Sequence, residues 1–200
     1  MSIDQPATVS ATIGQDRSLE ALARTVAAAR PVEAWNPPDC GDIDIRIRAD
    51  GVWEHLGRPI LRPALVELFA SILRREPDGR YCLVTPVEKM GIRVDDLPFL
   101  AVELAQEGEA RDIVLSFRLG SGGWVTADAD HPLTFESDPA TGAPRPALLV
   151  RRGLWARLSR PVFYELATLA LEALPPGEST LEVWSAGHRF PLGAIDDSAV

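Results

Sequence analysis

The stretch "TPVEKMGIRVDD" (residues 85–96) sets Thr85, Glu88, Lys89, Arg93, Asp95 and Asp96 among the apolar Val84, Val87, Met90, Ile92 and Val94. A few polar groups converging among apolar walls is how small-molecule sites are built. Lys89 is the only lysine among 20 basic residues, so it marks a place where a point charge is kept instead of a planar fork. Arg58, nearer the N-terminus, is read as reaching the same region. Arginine and lysine together suit an acidic ligand such as a carboxylate or phosphate, with Glu88 orienting the lysine. The ligand-binding set read from the sequence is therefore Arg58, Thr85, Glu88 and Lys89. The competing readings are a strand with a solvated, charged edge and a structural ion pair of Glu88 with Lys89 or Arg58.

Other chemistry-bearing residues are sparser. His131 in "ADADHP" stands beside Asp128 and Asp130, which reads either as an acid–base or metal cluster or as a polar turn. No H-E-x-x-H or Cys/His ligand set accompanies it, and no metal or cofactor is expected. His55 and His188 are isolated and read as structural. "RLGSGGW" resembles a phosphate loop only in its glycines. Such loops open a helix, whereas Trp124 and Val125 here begin a strand. Ser121 lacks the G-x-S-x-G elbow of a hydrolase nucleophile. Cys40 and Cys82 form no C-x-x-C motif and are too few for a disulfide framework.

These residues must be positioned by elements that the hydrophobic pattern announces. Residues 1–17 read as a polar, disordered tail, and Ser18 to Arg30 as a first helix through Leu19, Leu22, Ala23 and Val26. "WNPPDCG" is an extended arm. "DIDIRIR" alternates Ile43, Ile45 and Ile47 with charged residues, a half-buried strand that turns at Asp50-Gly51 into "VWEHL". A helix follows on Leu65, Leu68, Phe69, Ile72 and Leu73, with Pro63 in its first turn and Pro77-Asp78-Gly79 as its stop. "RYCLVTPVEKMGIRV", "FLAVELA", "DIVLSFRL" and "WVTA" read as strands. "ALLVRRGLWARL" is a second strand–turn–strand, after which Ser159 caps a helix on Val162, Leu166, Leu169, Ala170 and Ala173. "LEVWSA" and "HRFPL" read as a final strand pair.

The two hairpins repeat one another. "DGVWEHLGRPI" (50–60) and "RGLWARLSRPV" (152–162) share Gly51/Gly153, Trp53/Trp155, Leu56/Leu158, Arg58/Arg160 and Pro59/Pro161 at one constant spacing. Before the helix the first copy carries four extra residues, close to one helical turn, so the apolar stripe keeps its phase. The expected fold class is thus α+β: two small β-rich domains, each built on a repeated β-hairpin–helix–strand unit. Residues 18–95 would hold the N-terminal helix, arm and first repeat, 96–146 connecting strands, and 147–200 the second repeat.

The run from "WNPPDCG" to "DDLPFL", with "RGLWARLSRPVFYEL" and "WSAGHRFPLG", resembles the bacterial domain-of-unknown-function family 1285 over roughly residues 33–194. That resemblance implies an α+β arrangement of two small domains with a repeated structural motif. It implies no particular reaction, and a ligand-binding or signalling role.

Composition narrows the partners. The apolar fraction of 46% suits a globular chain with a sizeable core. No segment approaches a membrane span and no leader pattern opens the sequence, so a cytoplasmic protein is expected. The net charge of −9 argues against nucleic acid and anionic lipid as partners. Three function classes remain. The leading one is a non-catalytic ligand-binding or sensory module for a small, anionic molecule. The second is an enzyme using Glu88/Lys89 or Asp128/His131. The third is a self-associating protein, such as a homodimer, suggested by the 5 tryptophans.

Overall fold

A computed structural model describes residues 32–109 and 112–194. The tail and helix expected over 1–30 lie outside the described residues. Two six-stranded sheets and one separate strand pair build two β-rich domains.

In the first domain a short 3-10 turn (Val32–Ala34) leads to β1 (Asp39–Ile47), β2 (Trp53–His55), β3 (Arg58–Pro59), α1 (Pro63–Ser71), β4 (Leu73–Arg75), β5 (Tyr81–Val84) and β6 (Lys89–Val94). The sheet order is β3-β2-β1-β6-β5-β4, with β1 parallel to β6 and the other neighbours antiparallel. Alternation decides which face is buried: Ile45, Ile47 and Trp53 point inward while Asp44, Arg46 and Arg48 face water. Phe69 of α1 stacks on Trp53 with ring centroids 6.4 Å apart. The helix is shorter than its apolar stripe. It ends at Ser71, Leu73 already belongs to β4, and Pro77-Asp78-Gly79 turns β4 into β5 instead of stopping the helix. A stripe of Leu65, Leu68, Phe69 and Ile72 followed by Leu73 fits one buried face whether the last residue is helical or extended, so periodicity alone overran the end.

The second domain holds β7 (Phe99–Glu107), β8 (Val114–Leu119), β9 (Trp124–Thr126), β10 (Leu133–Ser137), β11 (Pro144–Arg151) and β12 (Leu154–Leu158) in the order β10-β11-β12-β7-β8-β9. The strands of 96–146 supply four of this sheet's six strands, β7 to β10. α2 (Arg160–Glu172) packs on β7 and on β13 (Thr180–Ser185), which pairs with β14 (His188–Ala194). Ser159 occupies the N-cap position with extended backbone, but its hydroxyl makes no capping bond. The β13–β14 pair is pinned to the sheet by fully buried Ser185, whose hydroxyl donates to Ala127 O (2.6 Å) and accepts from Leu115 N–H (2.9 Å).

The two hairpins keep one register. Ile47 faces Trp53 and Arg46 faces Glu54, just as Leu149 faces Trp155 and Leu148 faces Ala156. Their turns differ. Gly51 (φ 80°) closes a loop in which its N–H donates to Arg48 O. Arg152 and Gly153 both take positive φ (37° and 77°), and a register shift between Leu149 and Arg151 compensates. Bulges re-aim side chains. Here Arg151 reaches across to the first domain, donates to Ala70 O at the end of α1 (2.6 Å) and lies over the Phe99 ring.

Beyond the hairpins the two segments part. Arg58-Pro59 forms the edge strand β3, while Arg160-Pro161 opens α2. The strand after the first helix joins its hairpin's sheet, whereas β13 leaves it.

Candidate functional site

The four residues singled out from the sequence fall on separate structures. Thr85 is fully buried, and its hydroxyl closes the β5–β6 turn by accepting from Val87 and Glu88 N–H (3.3 and 3.1 Å) and donating to Glu88 O (3.2 Å). Lys89 opens β6 and pairs with Glu76 (2.9 Å), not with Glu88. Glu76 also accepts from Arg74 Nε (2.6 Å), and Arg74 donates to the Val32 and Trp35 carbonyls of the arm. Arg74, then Lys89, holds the Glu76 carboxyl below the usual range, and Glu76 in turn raises the Lys89 ammonium. Arg58 stands on the exposed edge strand β3, three strands away from Lys89 in the sheet order. The structure thus brings Lys89 to Glu76 and leaves Arg58 on the opposite side of the sheet. The region they were read as sharing does not form, because Arg58 and Lys89 are separated by β2 and β1.

Asp128 and His131 do meet: Asp128 Oδ1 lies 2.9 Å from His131 Nδ1 and accepts the Asp130 and His131 N–H groups, shaping the turn into β10. Burial pushes the Asp128 carboxyl up, but the His131 and Asp130 hydrogen bonds outweigh it and the net shift is downward. Among the described residues no group of three or more His, Cys, Asp or Glu side chains could hold a metal ion. Cys40 is exposed and Cys82 buried, both free, and burial raises the Cys82 thiol.

Two concavities deserve comparison. A groove of about 590 Å³ on the first sheet is lined by Asp42, Asp44, Arg80 and Arg93 among others. Its arginines are engaged: Arg93 with Asp44 (2.6 Å), Arg80 with Asp39 and Asp78 (3.0 and 2.8 Å). The second, of about 470 Å³, lies between the domains, with Arg75 and Tyr81 on one side, Arg145, Trp155 and Arg157 on the other, and Asp96 of the connection between them.

This cleft has a definite electrostatic design. Asp96 receives both Nε and Nη2 of Arg157 (2.8 and 3.0 Å) and a further hydrogen bond from Arg145 Nη2. Arg157 is also fixed from behind, donating to the carbonyls of Arg145 (2.7 Å) and Pro146 (3.3 Å). Arg157 chiefly, and Arg145 with it, keeps the Asp96 carboxyl below its ordinary value against the cost of burial. The neighbouring Asp95 is gripped from the first domain by Arg46, through two bonds of 2.8 Å. Adjacent aspartates in the connection are thus clamped to opposite domains. Arg75 is different. Its guanidinium lies over the Tyr81 ring (5.9 Å to the centroid) and makes no ion pair among the described residues. Burial raises the Tyr81 phenol, with Arg75 opposing and Asp96 adding, which places both charges around that ring.

Arg75 and Arg145 were given no role from the sequence, and Asp96 was counted among the polar groups of the 85–96 stretch but left out of the four-residue ligand set. The one available signal was the acidic pair Asp95-Asp96 between two strand runs, since a carboxylate withdrawn from water needs a charged partner.

A two-domain β-rich fold with a polar interdomain cleft is the class these observations define. The chain belongs to the DUF1285 family: residues 30–97 match the model described as "Domain of unknown function (DUF1285), N-terminal domain", and residues 98–192 "Protein of unknown function (DUF1285), C-terminal domain". The two matches meet at Leu97-Pro98, between β6 and β7. A crystal structure of a DUF1285 family protein from Silicibacter pomeroyi DSS-3 is 44% identical, with a TM-score of 0.80, covering 91% of this chain and 98% of that one. A second, from Shewanella baltica OS155, is 29% identical with a TM-score of 0.49, covering 62% of this chain and 90% of that one. No curated protein matches the chain.

Proposed function

We propose that this protein is a non-catalytic ligand-binding or sensory module that takes a small anion in the cleft between its two domains. The observation that carries this reading is Arg75, a cation held on Tyr81 at the cleft, with no carboxylate paired to it among the described residues. A guanidinium fixed in place loses little freedom on meeting a carboxylate or phosphate, and its fork matches both. Arg145 stands opposite, and Thr134, Glu136 and Ser137 belong to the same lining. The ligand class is the one expected from the sequence, moved from Lys89 to Arg75. A cytoplasmic setting accords with two unpaired thiols. We further read the two hairpin–helix units as copies of one ancestral segment, supported by their common register.

The test is thermal melting of the full chain with inorganic phosphate, succinate and citrate. An anion at 100 times its Kd adds about 2.7 kcal/mol, or about 5–10 °C for a chain of this size. The reading expects such a rise from at least one anion, and its loss in Arg75→Met with the ligand-free melting temperature changed by only a few degrees. No rise with any of them, or a rise that persists in Arg75→Met, contradicts it.

A further inference from the structure

We infer that Asp96 is an internal stand-in for one acid group of the ligand, so that the cleft selects a molecule with two acid groups: one on Arg75, the other replacing the Asp96 carboxylate on Arg145 and Arg157. This rests on the reading of the cleft as an anion site and names what that site prefers.

Three observations lead there. First, the Asp96 side chain reproduces what a ligand carboxylate would do, with one oxygen on Arg157 Nε and the other shared by Arg157 and Arg145. Exchanging one carboxylate for another keeps the number and kind of hydrogen bonds, so a ligand acid group competes on near-equal terms. Second, Arg157 is held by two backbone carbonyls independently of Asp96, and it stays aimed when that carboxylate leaves. A receptor group fixed in advance keeps the cost of exchange low. Third, Arg145 is the reachable arm. Its side chain is 41% exposed, and beyond Asp96 its one acidic partner among the described residues is Asp138, at 3.5 Å. Asp138 in turn spends its other oxygen on the Ala140 and Thr141 N–H groups.

A molecule with one acid group therefore gains Arg75 and leaves Asp96 in place. A molecule with two gains Arg75 and exchanges with Asp96, and the exchange frees the connection from its hold on the second domain. Asp96 acts as a specificity-determining residue, setting how many acid groups the cleft rewards.

Isothermal titration of the full chain with the dicarboxylates malonate to adipate, against butyrate as the one-acid control, tests this. The wild type is expected to bind the best-fitting dicarboxylate at least tenfold more tightly than butyrate. Asp96→Asn removes the competitor and should tighten that dicarboxylate a further fivefold or more. Arg145→Gln, which leaves the Arg157–Asp96 pair intact, should bring the dicarboxylate down to the affinity of butyrate. If Asp96→Asn does not fold, the Arg145→Gln result decides alone. Equal affinity for one-acid and two-acid probes, all lost in Arg75→Met, overturns this inference and leaves the anion site standing. Binding by none of the probes, or binding indifferent to Arg75→Met, overturns both.

Discussion

The hairpins β1–β2 and β11–β12 share a pairing register and a Gly-x-Trp signature, yet they lie in their sheets the opposite way round. In the first, Ile45, Ile47 and Trp53 face the core. In the second, that same face carries Arg145, Trp155 and Arg157 to the cleft, and the core is built from Leu148, Val150, Leu154, Ala156 and Leu158 on the other. The strand that joins the rest of the sheet changes too: β1 lies beside β6, but β12 lies beside β7. Turn chemistry fixes register locally, whereas the buried face is fixed by which side carries charge. "DIDIRIR" can be buried one way only. "PRPALLVR" has apolar residues on both sides, so its second face was available to floor a cleft.

The largest effect that tests this contrast is on the two tryptophans. Trp53 is 3% exposed and stacked on Phe69, so Trp53→Ala should cost about 3–5 kcal/mol in urea unfolding. Trp155 is half-buried at the cleft, and Trp155→Ala should cost about 1 kcal/mol. Equal losses would mean that the hairpins are buried alike after all.

A smaller effect comes from the position where the first hairpin has His55 and the second has Arg157. The Asp96 carboxyl is depressed in the folded state by Arg157, so its contribution is complete above the ordinary aspartate value of 3.8 and fades as pH falls through the lowered folded value. Between about pH 5 and about pH 2 the wild type should lose more stability than Asp96→Asn, by about 2 kcal/mol, the scale of hydrogen bonds to a charged group. Denaturant midpoints at pH 6 and pH 2 measure the difference. Parallel losses in the two proteins would remove Asp96 from the account.

How much of this could be read in advance follows the same division between local and distant causes. The hairpins, α2 and the final strand pair were legible because each is announced by its own periodicity and its own turn residues. β10 was hidden: "LTFES" buries Leu133 alone and is otherwise polar or partly exposed, so it was given no element. The second repeat's expected strand diverged because its place beside the hairpin is taken by β7, an earlier segment. Lys89 was read as a ligand group oriented by Glu88, whereas its partner Glu76 opens the β4–β5 turn, where the sequence had suggested a helix end. The cleft was the least legible part. Arg157 and Asp96 are 61 residues apart, and nothing in either neighbourhood names the other.

A crystal structure of the full chain grown with the tightest-binding dicarboxylate would show whether an anion site between the domains exchanges with Asp96. One carboxylate is expected on Arg75 and the second on Arg145 and Arg157, with the Asp96 side chain turned away from both. A dicarboxylate bound instead in the groove on the first sheet, with Asp96 still paired to Arg157 and nothing on Arg75, would contradict it.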